Sequence, residues 1–408
     1  MASLIIRILL ILACGFAAFS SSLAVALGLE EERILAFTVV VGLLLLLPFL
    51  FRPRLSRPGG AVVGLALLTA VMILTDLGGS FDPLDARIVL PVLVLLACPN
   101  LARYLPPEDL TRFAWGLLSV YVTLTFLYQV LAEPAVVARG YESLIRYDPT
   151  GSVVMHSSLS VIQLLLAATR LGQPLRPGQR LVTLMVGAMA LAMVFLTATR
   201  TAAVTLLVFG LFDLATTARP ARTLARAGLA VLGLAIVFTL WTSLVSDSFF
   251  LRLIGAQEDY SSGRWASIGH WLSLSGDHPW GIGLGAVREQ LAAGRPALDG
   301  TNLLEWPHNE LVRLYVEAGP PGLLFVLLLL SVAVRRALAT ARRDVDPLQR
   351  TLALAIAADL VAEALLQNLL NAVYHATVLF LLLTLATTAP PEPAAEPAMP
   401  IADPLPGG

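Results

Sequence analysis

His278-Pro279-Trp280-Gly281-Ile282-Gly283-Leu284-Gly285 and Pro307-His308-Asn309 stand in the one long polar stretch of this chain, about residues 246 to 308. Nearly everything around that stretch is apolar enough to live in lipid. Of 408 residues, 57% are hydrophobic and 13% charged, and the mean hydropathy is +0.80. Soluble domains carry about 25% charged residues. Such a chain crosses a bilayer as helices, because unsatisfied backbone cannot do so. The expected fold class is an all-α integral membrane protein with one large loop outside the bilayer. Arg, His and Gly turns gather in that loop, which makes it the expected seat of chemistry.

Working outward, about twelve apolar runs are long enough to cross, given a need for roughly 17–25 residues each. They fall at 7–28, 34–51, 61–77, 87–100, 110–132, 151–170, 181–198, 201–218, 227–246, 318–334, 351–370 and 372–388. The fourth is short. The first carries Ala24-Val25-Ala26, which resembles a signal-peptide cleavage site, but its apolar run is long for that role and reads as a retained anchor. The domain division is 1–245 for an N-terminal bundle, 246–317 for the loop with short helices, 318–388 for the last membrane helices, and 389–408 for a Pro- and Ala-rich disordered tail.

Arginine placement orients the chain. The connections at 52–57, 103–112, 170–180, 219–226 and 335–350 hold sixteen of the 27 basic residues, all of them Arg. The intervening connections are acidic or neutral: Glu30 to Arg33, Asp76 to Asp85, and Glu133 to Asp148. Both termini are therefore expected in the cytoplasm, with loop 246–308 and the turn at Arg200 on the outer face. An outer face offers no ATP and no nucleotide sugars. A reaction there uses a pre-activated substrate, usually a lipid-linked one.

Composition excludes several chemistries. Without lysine there is no Schiff-base route. The net charge of −1 gives no pull on nucleic acid. Cys14 and Cys98 sit in apolar runs, away from any disulfide or thiolate-metal pattern. His270 and His278 have no carboxylate at ligand spacing, which argues against zinc. Asp344-Val345-Asp346 looks like a metal–nucleotide-sugar motif but lies among arginines with no domain around it, and reads as a solvated loop.

The candidate site residues follow. Arg200, in Thr197-Ala198-Thr199-Arg200-Thr201-Ala202, lies between two apolar runs. A guanidinium there either binds phosphate oxygens through its fixed donors or snorkels to headgroups. Arg264 follows a flexible Ser-Ser-Gly and opens an amphipathic helix carrying Trp265, Ile268, Trp271 and Leu272; it is read either as a site residue or as an ordinary cation at the membrane interface. His308 precedes a short helix beginning Asn309-Glu310 and closed by Gly319-Pro320. The positive end of that helix would keep the imidazole neutral and able to take a proton; the other reading is a histidine that merely caps the helix. Glu310 and Glu317 are the next candidates for a base. The glycines of 281–285 lack a βαβ context for dinucleotide binding and read as a tight turn folding the loop onto the membrane face. Asp359, Glu363, Gln367 and Asn371 recur every fourth residue as one polar stripe in the eleventh span, with His375 just beyond. That stripe either lines a cavity or pairs with other helices.

Taken in order, the Thr-Arg-Thr-Ala between two spans, the outer loop near Ser-Gly-Arg-Trp, the His-Pro-x-x-Gly-x-Gly-x-Gly turn and the final His-Asn with its Glu-Ala-Gly resemble the O-antigen ligase / O-antigen polymerase superfamily. The resemblance covers about 188 to 333; the N-terminal third agrees only in hydropathy. It implies a GT-C-like fold and a metal-independent, inverting glycosyltransferase without nucleotide or other cofactor. Its partners would be an undecaprenyl-diphosphate-linked glycan donor, a glycan or lipid A–core acceptor, and the lipids of the bacterial inner membrane, with the large loop periplasmic. It also implies Arg200 and Arg264 on the diphosphate and His308 as the catalytic residue, with Asn309, Glu310, Glu317, Glu363 and Asn371 as candidate supports. Ligase action fits the loop size best, a polymerase joining lipid-linked repeat units is the alternative, and a transporter or flippase is the reading from another class.

Overall fold

The computed structural model describes residues 2–26, 32–51, 59–76, 88–102, 107–132, 153–197, 199–217, 264–294, 297–299, 302–303, 306–371 and 373–388. The expected ninth span at 227–246, the start of the polar stretch at 246–263 and the tail from 389 lie outside them. Eight helices come first: α1 (Ala2–Ala26), α2 (Glu32–Phe51), α3 (Gly60–Asp76), α4 (Val89–Ala102), α5 (Pro107–Ala132), α6 (Val153–Leu171), α7 (Pro177–Thr197) and α8 (Arg200–Thr216). The polar stretch contributes α9 (Arg264–Gly276), α10 (Ala286–Ala293) and a small antiparallel hairpin of β1 (Ala297–Asp299) and β2 (Asn302–Leu303). The chain then forms α11 (Glu310–Ala341), α12 (Pro347–Leu366), a 3-10 turn at Leu369–Asn371, and α13 (Val373–Thr387).

Four described helices are long and apolar enough to cross a membrane: Glu108–Tyr128, Val154–Leu171, Pro177–Thr197 and Glu310–Ala341. Shorter apolar helices accompany them at Leu4–Ser20, Gly60–Asp76, Val89–Pro99, Thr201–Thr216 and Val373–Thr387. The protein is a helical membrane protein. Its outer helix faces show Leu67, Leu74, Leu181, Val182 and Leu207, a surface that suits acyl chains and not water.

α12 and α13 occupy the centre. Leu348 to Ala364 are almost continuously buried, as are Val373 to Ala386, and a helix covered on all sides belongs in a core. α12 manages this with small residues: Ala353, Ala355, Ala357 and Ala358 let α6, α8 and α11 pack closely around it. α1 is part of the same bundle, with Ile6, Leu10, Ala13, Cys14 and Ala17 buried and with α2 and α13 as neighbours.

Two expectations need correction. The eleventh span does not carry a continuous polar stripe. α12 stops at Leu366 and Gln367 is extended (φ −142°, ψ 178°), so only Asp359 and Glu363 share a helix face, while Asn371 closes the 3-10 turn. The tenth span is longer than 318–334, because helix continues through Arg335 and Arg336 to Ala341; the Ala- and Arg-rich sequence there favours helix. The pair Asp344/Asp346 lies in an exposed loop as expected, and Asp346 also caps α12, accepting from the Leu348 amide with Pro347 in the first turn, a favoured arrangement for a helix start.

The two ends of the bundle differ. Arg7 meets Asp109 at 3.9 Å and Arg350 meets Asp213 at 2.6 Å at one end, where Gln173 also reaches Asp346. The opposite end gathers Asp76, Thr199, Thr201, Leu284, Asn309 and Leu365.

Candidate functional site

Each of the three leading candidates stands at the start of a helix. Arg200 is the first residue of α8 and Arg264 the first of α9; His308 lies two residues before α11. The side chains of Arg200, Arg264 and Asn371 lie outside the described residues. Backbone amides at a helix start are free to bind anions, and the helix dipole adds partial positive charge.

The C-terminal end of α12 ties two of these starts together. The Asn309 amide donates to the Leu365 carbonyl at 3.1 Å. The Gln367 amide donates to the Thr201 hydroxyl at 3.3 Å. Thr199, just before Arg200, shares a hydrogen bond with Ser157 near the start of α6. His308 and Arg200 are thus each one residue from a side chain bonded within Leu365–Gln367 or from its partner. Arg264 joins through its helix, which packs on the first part of α11 by way of buried Trp271, Val316 and Val287. The apolar set expected on α9 is divided: Trp271 is fully buried, whereas Trp265 is 75% exposed. The two are six positions apart and face different sides of the helix.

His308 does not cap α11. Asn309 does, accepting from the Val312 amide at 3.1 Å. His308 itself takes a left-handed backbone conformation with φ 45°, uncommon for a residue with a Cβ. Such backbone positions occur where surrounding structure fixes them, often at sites.

Behind the cap lies a buried ion triad. Arg313 pairs with Glu310 at 2.5 Å and with Glu317 at 2.6 Å, and all three side chains are 0–1% exposed. Glu310 and Glu317, expected as alternative bases, are held by this guanidinium. The sequence signal was there to see: charges of opposite sign three and four residues apart face each other on a helix.

The glycine turn closes against the same helix. Ile282 donates to the Val316 carbonyl at 2.9 Å and Gly283 to that of Glu317 at 3.0 Å. A Cβ on Gly281 would stand 2.3 Å from the Glu317 oxygen, and one on Gly319 2.8 Å from the Pro279 oxygen. Gly319 has φ 63° and ψ −152° and breaks α11 into a short helix and a long span. The expected turn, folding the loop back, is therefore present and packed backbone to backbone. Leu284 then donates to Asp76 at the end of α3, 2.9 Å away.

Deeper in the bundle, Asp359 accepts from Thr205 of α8 at 2.9 Å and from Ser158 of α6. His375 of α13 stands 3.6 Å from the same carboxylate. Asp359, Glu363 and His375 form a group able to hold a metal ion among the described residues. Sequence reading placed the acids on one helix but could not supply the partners from α6 and α8.

Residues 185–327 match the O-antigen ligase family. The O-antigen ligase match runs from the middle of α7 into the long span of α11 and contains Arg200, Arg264 and His308, the glycine turn and the Arg313 triad. It supports the O-antigen ligase / polymerase superfamily that the motifs resemble. Comparison with curated proteins gives no match.

Proposed function

We propose that this protein transfers a glycan from undecaprenyl diphosphate to an acceptor sugar on the periplasmic face of the inner membrane, as an O-antigen ligase attaching glycan to lipid A–core. The observation that carries this reading is the gathering of Arg200 and His308 about the end of α12, with Arg264 on a helix docked beside them, inside the segment that matches the O-antigen ligase family. The fold would be GT-C-like with about twelve crossings, both termini cytoplasmic.

In this reading Arg200 and Arg264 hold the diphosphate, assisted by the helix starts. The bond from the anomeric carbon to the phosphate oxygen breaks as the acceptor oxygen attacks the opposite face, so configuration inverts. Negative charge builds on the leaving diphosphate, and preorganised guanidinium donors stabilise it. His308 takes the proton of the acceptor hydroxyl. The donor set needs no metal or nucleotide for these steps. Asn309, Glu310 and Glu317 act as supports by fixing the start of α11. Glu363 and Asn371 lie on α12 and the following turn.

The test is the surface glycan of a strain lacking this protein. Full-length lipid-linked polymer left unattached to lipid A–core supports ligase action. Accumulated single repeat units would replace it with polymerase action, and unchanged glycan would remove both.

A further inference from the structure

We propose that Asp359, Glu363 and His375 form a binding site for a divalent transition-metal cation inside the bundle, a structural tie between α12 and α13 that is separate from the transfer site. One donor atom from each lies within 4.8 Å of the others. The 3.6 Å between the Asp359 carboxylate and the His375 ring is near the spacing of about 3.4 Å for two donors each roughly 2.1 Å from a tetrahedral ion. Two carboxylates and an imidazole suit zinc and its neighbours, whereas magnesium prefers oxygens and retained water.

Glu363 supplies the independent observation. Its side chain is 2% exposed, its Oε1 has no hydrogen-bond partner, and among the described residues it forms no ion pair. The only ion-pair partner of Asp359 among them is the imidazole of His375, a ring that can also serve as a metal ligand. Among the described residues, the hydroxyls of Ser158 and Thr205 also face the cluster, and the buried ring of His156 lies near His375. Two acids in an apolar interior with no arginine against them among the described residues need a compensating positive charge. The convergence of an imidazole on that pair provides a coordination set for one.

Asp359 is about 10 Å and Glu363 about 4.5 Å below the outer end of α12, seven and three residues away at 1.5 Å each. A cation held by these three side chains would be enclosed by buried groups of α12 and α13. It would fix Asp359 and hence Thr205 one turn beneath Arg200, so the inference stands apart from the proposed reaction and can fail or succeed without it.

The experiment uses the purified full chain in lipid nanodiscs after chelator treatment, titrated with Zn²⁺ alone. We expect one Zn²⁺ per chain, a rise of several degrees in Tm, no rise with Mg²⁺, and a visible d–d band when Co²⁺ replaces Zn²⁺. Glu363→Gln and His375→Gln should each weaken Zn²⁺ binding at least about tenfold, the loss of one ligand from a small set. Sub-stoichiometric Zn²⁺, a Co²⁺ spectrum with only aqua-ion bands, or variants that fold and bind as the wild type does would overturn the site. So would a Glu363→Gln protein that is more stable than wild type and indifferent to Zn²⁺, which would show that a proton neutralises the pair. The Co²⁺ spectrum of the unmutated protein decides the matter if the variants do not fold.

Discussion

Asn309 binds two helices at once: its carbonyl oxygen caps α11 at the Val312 amide and its NH₂ group donates to the Leu365 carbonyl at the end of α12. The two functions separate by mutation. Asn309→Asp keeps the cap oxygen and loses the donor; Asn309→Ala loses both. We expect Asn309→Ala to lower stability by about 1 kcal/mol or more, the usual cost of a lost cap. Asn309→Asp should keep most of the stability but lose transfer activity, because the His308 segment is no longer tied to α12. Equal transfer by Asn309→Asp and wild type, measured with purified protein and lipid-linked donor, would show that the tie is dispensable.

The Arg313 triad makes a prediction about stability alone. Removing one member of a buried ion group leaves charge uncompensated and costs about 3–5 kcal/mol. Arg313→Met should therefore unfold at a much lower temperature, whereas Arg313→Met combined with Glu310→Gln and Glu317→Gln should regain much of the loss. Thermal unfolding in detergent, followed through tryptophan fluorescence, reads both.

Glycine positions divide by surroundings. Gly281→Ala and Gly319→Ala each force a Cβ into backbone at a positive φ, and both should abolish a well-folded loop. Gly269, within α9, has nothing within 4 Å of a Cβ; Gly269→Ala should leave the protein as stable or add about 0.5–1 kcal/mol. Expression level and Tm of the three variants provide the comparison.

For the proposed reaction, Arg200→Lys and Arg264→Lys keep charge but lose the guanidinium fork. Each should reduce transfer on the order of 10–100-fold, the equivalent of a lost bond to a charged group at about 1.5–3 kcal/mol. His308→Ala should slow transfer by about 10²–10⁴-fold while donor binding survives. His308→Gln should rescue little if proton removal is its role. Near-normal turnover in His308→Ala would direct attention to another base.

Orientation is tested by a cysteine at position 262. Ser262→Cys should react with a membrane-impermeant maleimide in cells whose outer membrane is permeabilised. Labelling only after lysis of the inner membrane would reverse the assigned sidedness.

Helices of this kind are legible from sequence because lipid demands long apolar runs, and described helices lie on the expected segments outside 227–246. Ends were less legible. Arg335 and Arg336 end the apolar run, yet the helix runs on to Ala341 because hydrogen bonding, not hydropathy, decides where it stops. Gln367 breaks the i+4 pattern because its amide turns aside to Thr201, a tertiary contact that periodicity cannot show. The turn at Gly281–Gly285 was readable because glycine serves backbone conformations closed to other residues. The partners of Asp359 were not: Ser158 and Thr205 are ordinary hydroxyls in apolar helices until three helices meet.

The Asp76–Leu284 hydrogen bond means that the segment resembling the O-antigen ligases is not a transplantable module. One of the supports for its glycine turn is a carboxylate from α3, far ahead of the matched residues in the chain. Chimeras that exchange 185–327 between relatives would carry Arg200, Arg264 and His308 intact yet leave that support behind. Such grafts should be designed with the donor's own α3 terminus, because the early helices act as masonry for the later loop.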